Sequence, residues 1–148
     1  MSNRDYKWLS QWKWHAHKDS KTFYAQRAVG PGGRQKIIQM HSLIFGGTCD
    51  HKNRDGLDNR RCNLRAATFQ QQIWNQGLRE DNTSGFKGVF WHRDCWRSMI
   101  RVNGKLLHLG FFKVKKEAAK AYDKAAKKYH GEFAVLNFPK GVDGRFKR

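Results

Sequence analysis

Two strands and the turn between them can be read in residues 96–112, WRSMIRVNGKLLHLGFF. Apolar and polar side chains alternate along Trp96–Val102, which is the two-residue period of a half-buried strand. The pair Asn103-Gly104 follows directly and is the strongest short-range signal for a tight hairpin turn. Lys105–Phe112 then predicts the returning strand. This stretch therefore predicts an antiparallel hairpin.

The hairpin is flanked by one more strand and one helix. A strand is predicted at Phe86–His92 and a helix over about Lys115–Tyr129. Four residues of the helix recur at three- and four-residue spacing, as one packed face requires: Ala118, Tyr122, Ala125 and Tyr129. Gly131 stands just past the predicted end, where a C-terminal cap belongs. The C-terminal half is thus predicted to be a three-stranded antiparallel sheet packed on one helix.

Alternation along the middle strand separates the two faces of this sheet. Trp96 and Ile100 should pack beneath the helix, so Arg97 and Arg101 should project from the opposite face. An antiparallel sheet can leave one face to solvent, and the DNA major groove, about 12 Å wide, admits such strands. The alternative is that these cations form only a solvated face. The residues predicted to face DNA here are Lys87, His92, Arg93, Arg97, Arg101, Lys105 and His108.

The charge of the chain is large and evenly spread. The 148 residues contain 30 Lys+Arg and 12 Asp+Glu, a formal net charge of +18. Residues 1–78 hold 13 basic and 5 acidic side chains, a net +8, and residues 79–148 hold 17 and 7, a net +10. Such an excess repels itself unless a polyanion takes it up. We expect both halves to contact the same polyanion, which argues against an ordinary neutral metabolic enzyme.

Other partners and compartments are less consistent with the sequence. An anionic membrane would need a long basic helix with bulky apolar anchors, but the predicted helix presents Ala and Tyr; an acidic protein partner remains an alternative. No apolar run approaches the roughly 18 residues that span a bilayer, and no secretory signal follows Met1. Three Cys without a C-x-x-C pair disfavour a disulfide framework or a four-thiolate zinc site. We expect a reducing, cytosolic compartment.

A set of short motifs runs through the C-terminal half: Ser84–Val89, Trp91, Trp96, Ile100–Val102, Leu109–Phe112, Glu117–Ala119, Ala121–Asp123, Ala125-Ala126, His130–Glu132 and Leu136–Pro139. Together they resemble the Apetala/ethylene-response-factor DNA-binding domain. The resemblance covers about 55 residues and implies a sheet that reads the major groove. By analogy the DNA-facing positions are Lys87, Arg97, Arg101 and His108. The family carries several arginines on the first strand, whereas Phe90, Trp91 and His92 stand here, so the base preference does not carry over.

The N-terminal half contains a candidate catalytic arrangement. Residues 40–76 read as strand, long turn-rich loop, strand and helix, with Asp50-His51 at the end of the first strand. A carboxylate can hold a hard divalent cation, and an imidazole can deprotonate water near neutral pH. Phosphodiester hydrolysis needs both groups. Consecutive strand residues point to opposite faces, so the pair must lie at a distorted strand end.

The surrounding residues give this pair a context: Met40-His41, Asp50-His51, Gly56, Leu57–Arg61, Asn63–Arg65, Thr68, Gln71 and Asn75. They resemble the His-Asn-His (HNH) endonuclease family, in particular its small phage-type homing endonucleases. HNH proteins with an Apetala-type C-terminal domain form a known arrangement. The resemblance implies an α+β chain, with a ββα-metal HNH module ahead of the three-stranded sheet and helix.

The family roles carry over residue by residue. His51 matches the general base, Asp50 a metal ligand, and Asn63 the central Asn that braces the loop and orients the base. The second metal ligand, normally His or Asn, falls on Gln72, whose extra methylene displaces the amide oxygen by about 1.5 Å. Catalytic geometry tolerates roughly 0.5 Å, so the helix must shift or a neighbouring amide must help, the candidates being Gln71 and Asn75. The resemblance implies one Mg²⁺ or Mn²⁺ ion per site and products with 5′ phosphate and 3′ hydroxyl ends.

The domains predicted from these patterns are an HNH endonuclease module (1–78), a linker (79–85), an Apetala/ethylene-response-factor-type domain (86–139) and a basic tail (140–148). The function predicted is a sequence-recognising, nicking DNA endonuclease. The rival is a non-catalytic DNA-binding protein derived from a decayed nuclease. A shape-specific RNA binder is disfavoured because the sheet lacks the paired stacking aromatics of RNA-recognition sheets. We expect a monomer on double-stranded DNA, in the cytoplasm of a bacterial or phage-infected cell, with no membrane and no small-molecule cofactor.

The remaining conspicuous residues of the first half have structural interpretations. Phosphate contacts are predicted for three arginines, with a solvated loop as the alternative: Arg60, Arg61 and Arg65. Three tryptophans are interpreted as packing residues rather than base-stacking platforms: Trp8, Trp12 and Trp14. Three histidines are interpreted as structural or surface residues: His15, His17 and His41. A zinc site at Cys49, Cys62 and His51 fits no standard spacing.

Overall fold

The computed structural model describes residues 1–19, 22–32 and 34–139. It divides into two compact units, Met1–Phe69 and Gln70–Arg148, and each is described here by itself. The predicted linker, 79–85, falls within the second unit, and the predicted basic tail, 140–148, lies outside the described residues. The sheets are antiparallel and are combined with helices, which confirms the α+β class.

The first unit contains two sheets and two short helices. Its elements are α1 (Asn3–Leu9), β1 (His15–Asp19), β2 (Thr22–Val29), β3 (Lys36–Gln39), α2 (Met40–Phe45), β4 (Cys49–His51) and β5 (Leu64–Ala66). Strands β1, β2 and β3 form one sheet in that order, and β4 pairs with β5 in the other. A single 3₁₀ turn, Arg61–Asn63, leads into β5. Helix α3 (Phe69–Asn75) begins at the division between the units.

The predicted order of strand, loop, strand and helix is observed as β4, loop, β5 and α3. The apolar segment before β4 differs, because it forms the helix α2. This helix ends where Gly46 adopts a left-handed conformation, with φ of 83°, and its N–H donates to the Ser42 carbonyl. Glycine takes this conformation without the steric cost of a Cβ.

Tryptophans surround the core of the first unit. The buried centre consists of Leu9, Met40, Ile44, Cys49 and Leu64. Three partly buried tryptophans pack against it, which confirms their predicted packing role: Trp8, Trp12 and Trp14. The Arg27 guanidinium lies 4.0 Å from the centre of the Trp12 ring, so a cation also covers this aromatic cluster.

The second unit is the predicted sheet and helix. Its elements are β6 (Val89–His92), β7 (Cys95–Val102), β8 (Lys105–Phe112) and α4 (Lys115–His130), followed by a 3₁₀ turn at Gly131–Phe133. The strands pair in the order β6-β7-β8. The first strand starts at Val89 rather than Phe86, because positive φ angles at Gly85 (76°) and Gly88 (74°) bend the preceding backbone. No helix among the described residues is long and apolar enough to cross a membrane.

A bulge in β8 decides which side chains share a face. Ser98 pairs with Gly110 and Met99 with His108, so Leu109 is an extra residue opposite β7. Gly110 accommodates the bulge with φ of 134°. Beyond it the alternation is reversed, and Phe111 joins His108 on one face.

Small residues allow α4 to lie close to the other face. Four alanines are buried against the sheet: Ala118, Ala119, Ala125 and Ala126. The Tyr122 ring covers Gly88, where an added Cβ would lie 1.9 Å from a ring carbon. The segment after α4 is held by Asp123, whose carboxylate accepts the N–H groups of Asn137 (2.7 Å) and Phe138 (2.8 Å).

The substitution Gly88→Ala should strongly destabilise the second unit. It forces a Cβ into the Tyr122 ring and also strains a positive φ, so we expect a loss of about 2–4 kcal/mol. Gly85→Ala is the matched control, because it has nearly the same φ but no atom within 4 Å of the added Cβ. It should cost only about 1–2 kcal/mol. Urea unfolding followed by circular dichroism measures both, and equal losses would contradict the Tyr122 packing.

Candidate functional site

The sheet of the second unit has one face turned away from α4, here called the open face. Strand register and alternation assign nine side chains to it: Phe90, His92, Cys95, Arg97, Met99, Arg101, Leu106, His108 and Phe111. The predicted arginines of β7 therefore do lie on the face opposite the helix. Four of the nine are cationic or imidazole groups that sequence analysis predicted to face DNA.

A row of three side chains crosses the open face. Arg97 is paired with Phe90 on one neighbouring strand and with Phe111 on the other. Both phenyl rings are about half exposed, Phe90 at 45% and Phe111 at 55%. The Nε of Arg97 is buried and has no hydrogen-bond partner among the described residues. An unsatisfied buried donor is costly, and no acceptor among the described residues holds this nitrogen in place.

The exposed phenyls contradict one premise of the sequence analysis. RNA binding was disfavoured because the sheet was thought to lack paired aromatics, yet Phe90 and Phe111 stand exposed on either side of Arg97. Alternation was applied only to the middle strand, and the pairing register of β7 with β8 is what places Phe111 beside Arg97.

Three other cations predicted to face DNA lie elsewhere. Lys105 pairs with Val102 and so belongs by alternation to the helix side, although it is exposed beside the hairpin turn. Arg93 is exposed in the turn between β6 and β7, with φ of 54°. The Lys87 ammonium donates to the carbonyls of Trp74 (2.7 Å) and Gln76 (2.5 Å). Lys87 is thereby tied to the segment that leads into the sheet.

In the first unit, His51 is held by a neighbour that sequence analysis missed. His51 ends β4 and is 5% exposed, and its Nε2 lies 3.1 Å from Oδ1 of Asn59. The Asn59 amide nitrogen donates to the Leu57 carbonyl (3.3 Å), which orients its oxygen toward the imidazole. An amide oxygen can only accept, so this contact is a hydrogen bond when Nε2 carries a proton. Asn59 itself is 1% exposed.

Asn63 was predicted both to brace the loop and to orient the base, and its contacts are with the loop. Its amide donates to Oδ1 of Asn53 (2.9 Å) and to the Asp58 carbonyl (2.8 Å), and its oxygen accepts the Asn53 N–H (3.0 Å). The contact with the imidazole is made by Asn59 instead. Both asparagines lie in the motif region that resembles HNH proteins, but the sequence did not distinguish their roles.

The predicted metal ligand Asp50 is engaged in an ion pair. Its Oδ2 accepts hydrogen bonds from Nε (3.1 Å) and a terminal nitrogen (2.9 Å) of Arg65, and both side chains are 11% exposed. The two residues are direct partners across β4 and β5. A guanidinium on this carboxylate places a positive charge beside the position that a divalent cation would take. In this arrangement Asp50 is engaged by Arg65, and a site for Mg²⁺ or Mn²⁺ stays a prediction.

The other two arginines predicted to contact phosphates also have carboxylate partners. Arg60 pairs with Asp58 (2.7 Å), and Arg61 pairs with the fully buried carboxylate of Asp5 (2.8 Å). Hydrogen bonds from Arg61 lower the pKa of Asp5. In the first unit, these two arginines thus hold the end of the loop between β4 and β5 through ion pairs with Asp58 and Asp5.

The remaining candidate metal ligands are Gln72 on α3 and Cys49 on β4. Gln72 lies half-buried on α3, outside the first unit, so its pairing with Asp50 stays a prediction. Cys49 is buried and donates to the His41 carbonyl (3.6 Å), and burial raises its pKa to about 11. Over 1–19, 22–32 and 34–139, no group of three or more His, Cys, Asp or Glu side chains is arranged to hold a metal ion.

Comparison with known proteins identifies relatives of two kinds. Protein 3.8 of Escherichia phage T7 is 31% identical over 87 residues, which are 57% of this chain and 71% of that protein. The chain belongs to the Protein 3.8 family. No protein-family model matches it.

This member of the Protein 3.8 family is also similar to plant transcription factors. Ethylene-responsive transcription factor WRI1 of Arabidopsis thaliana is 35% identical over 74 residues, 50% of this chain and 17% of that protein. Dehydration-responsive element-binding protein 2A of the same plant is 35% identical over 91 residues, 60% of this chain and 21% of that protein. The chain thus spans about a fifth of the length of these relatives. The predicted Apetala/ethylene-response-factor resemblance is confirmed, and none of the relatives named here is called an endonuclease.

The histidine pair in the first unit predicts a pH-dependent stability. His41 is buried against His51, with ring centres 4.9 Å apart, and its Nδ1 has no partner among the described residues. Burial, followed by the charge of His51, lowers the pKa of His41 from 6.5 to about 4. The unfolded chain therefore binds this proton more readily. Stability is fully present above pH 6.5 and falls by about 2–3 kcal/mol toward pH 4.

Urea unfolding between pH 4 and pH 7 measures this dependence. His41→Phe retains a ring of similar shape without a titrating nitrogen, so its stability should fall less steeply than that of the unchanged chain. His17→Phe, at an exposed position of β1, is the matched control and should leave the slope unaltered. Parallel curves for the His41 variant and the unchanged chain would show that His41 does not titrate as argued.

Proposed function

We propose that this chain is a non-catalytic DNA-binding protein that docks the open face of its second unit in the major groove of duplex DNA. The observation that carries the proposal is the central row of the open face, where Arg97 stands between two exposed phenyls and has no carboxylate partner among the described residues. The proposal makes the chain a DNA-associated protein. It also accounts for a net charge of +18.

The dimensions of the sheet suit a groove. Three strands at about 4.8 Å spacing make a surface roughly 10 Å across, and the major groove is about 12 Å wide. The β6-β7 and β7-β8 connections are short turns, so no long loop covers either end of the open face. The plant relatives support the proposal, because one is named a dehydration-responsive element-binding protein and the other an ethylene-responsive transcription factor.

The arginines of the open face differ from those of the first unit in their partners. Among the described residues no carboxylate pairs with Arg97 or Arg101, and the latter donates only to the Gly104 carbonyl (3.1 Å). In contrast, the three predicted phosphate-binding arginines of the first unit are paired with acidic residues: Arg60, Arg61 and Arg65. A DNA phosphate must compete with these carboxylates for the arginines of the first unit. At Arg97 and Arg101 of the sheet it meets no such competitor among the described residues.

Two features of the first unit support a non-catalytic role. His51 is 5% exposed, and a general base must reach a water molecule. Asp50 is neutralised by Arg65 rather than left open for a cation. The nuclease-like arrangement of strands and loop then serves as a scaffold.

Arg101→Gln should weaken DNA binding and reduce its dependence on salt. Losing one phosphate contact lowers the slope of log K against log salt by about 0.9, and we expect an affinity loss of about tenfold. Fluorescence anisotropy with a labelled duplex, at about 50 to 200 mM NaCl, measures both. Arg79→Gln removes the same charge at an exposed position outside the sheet and should change neither. Identical effects of the two variants would mean that net charge, not the open face, carries the binding.

A second function, metal-dependent cleavage of DNA, is supported by one observation, the orientation of His51 by Asn59 at the end of β4. The order β4, loop, β5 and α3 is also the one that the HNH resemblance implies. In this candidate His51 takes a proton from water through Nδ1, while Asn59 fixes the proton on Nε2. We rank it second because of the burial of His51 and the Asp50–Arg65 pair.

Supercoiled plasmid distinguishes the two functions. With Mg²⁺ or Mn²⁺ and an EDTA control, we expect the chain to bind plasmid without nicking it. Nicking that requires the metal and is abolished by His51→Ala, but not by the surface control His17→Ala, would establish the nuclease. Nicking gained only in Gln72→Asn would show that the rest of the catalytic site is intact and that its amide ligand has drifted.

A further inference from the structure

The open face exposes apolar side chains that a purely electrostatic contact with DNA does not need. Phe90, Leu106 and Phe111 are 45%, 53% and 55% exposed. Two of them flank Arg97 in the central row, and Leu106 is paired with Arg101 on the neighbouring strand. Phosphates offer nothing to a phenyl ring, so these residues point to an apolar feature of the ligand.

The major groove presents one such feature. Each thymine displays its C5-methyl group there, and the edges of the other three bases are polar. Apolar side chains, phenylalanine among them, contact this methyl group. A row of phenyl, guanidinium and phenyl offers apolar contacts on both sides of a hydrogen-bond donor.

The surroundings of Phe111 favour a contact through the ring edge. Its ring centre lies 5.5 Å from that of His92 and 4.5 Å from that of His108. The register puts these imidazoles on opposite sides of the central row, since His108 pairs with Met99 and His92 lies two residues beyond Phe90. A ring flanked on both sides presents chiefly its outer edge. An edge suits a methyl group, whereas stacking on an unpaired base needs a free ring face.

We propose that Phe90 and Phe111 contact thymine methyl groups in the major groove, so that the open face prefers duplexes with thymines at the contacted steps. This inference rests on the proposed DNA-binding function and adds to it a base preference. It assigns specificity to Phe90 on the first strand of the sheet and to Phe111 on the last. Arg97, between the two rings, supplies the polar contact of the same row.

Uracil tests the proposal, because it differs from thymine only in lacking the methyl group. Duplexes enriched by the full chain from a random pool are remade with uracil in place of every thymine. An alternating A·T duplex and its A·U counterpart are compared in the same way, so that the measurement does not depend on enrichment of one sequence. Each contacted methyl group should be worth about fourfold in affinity, and the uracil duplex should bind more weakly by that factor or its square.

Variants assign the effect to the two rings. Phe90→Ala and Phe111→Ala should each reduce the difference between thymine and uracil duplexes, and the double variant should abolish it. Phe23→Ala removes an equally exposed phenyl ring, 46%, from β2 in the first unit and should leave the difference intact. The comparison within the unchanged chain needs no variant and so remains decisive if a substitution disturbs folding.

The outcomes separate this inference from the function on which it rests. Equal affinity for thymine and uracil duplexes, with salt-sensitive duplex binding retained, overturns the methyl contact and leaves the proposed function standing. Absence of duplex binding overturns both. Tighter binding of the single strand than of the duplex, lost in the double phenylalanine variant, overturns the inference in favour of stacking on unpaired bases.

Discussion

The second unit depends on the close approach of α4 to a single face of its sheet. Four alanines and Gly88 create the space, and the Tyr122 ring fills it. A larger residue at these positions would separate the two layers and expose the apolar side chains that pack between the sheet and α4. Because this face is fully used for packing, every long polar side chain of β7 must project on the other. The packing of α4 on one face of the sheet therefore determines which side chains lie on the open face.

The positive charges of the two units differ in how far acidic side chains neutralise them. In the first unit, short loops bring arginines next to carboxylates, and the buried Asp5 shows that such pairs belong to the fold itself. In the sheet, alternation places Arg97 and Arg101 on a face to which no acidic side chain is assigned. The Nε of Arg97 has no hydrogen-bond partner among the described residues, and favourable packing elsewhere offsets the free-energy cost of burying it. Net charge predicts a polyanionic partner, but only the pairing of individual charges indicates where that partner lies.

Local patterns explain which parts could be predicted from the sequence. The hairpin follows from Asn103-Gly104, which take φ of 48° and 77°, and α4 follows from the spacing of its alanines. Alternation along β8 cannot place Phe111, because the bulge at Gly110 reverses the faces after His108 and no two-residue pattern records it. The roles of Asn59 and Arg65 depend on how the chain between β4 and β5 folds back on itself, and such contacts between distant residues leave no periodic signal.

Two features of the first unit oppose nuclease chemistry, namely the Asp50–Arg65 ion pair and the burial of His51. Charge alone does not exclude it, since a DNA phosphate is the natural competitor for Arg65 and would free Asp50 as it binds. Access is the stronger barrier. His51 is enclosed by the rings of Tyr24 and His41, with centres 5.8 Å and 4.9 Å away, and by Asn59. A DNA phosphate can replace the Asp50 carboxylate as the partner of the Arg65 guanidinium. DNA has no group that would replace the packed rings of Tyr24 and His41 in the same way. The burial of His51, rather than the Asp50–Arg65 pair, is therefore the stronger argument for a binding role.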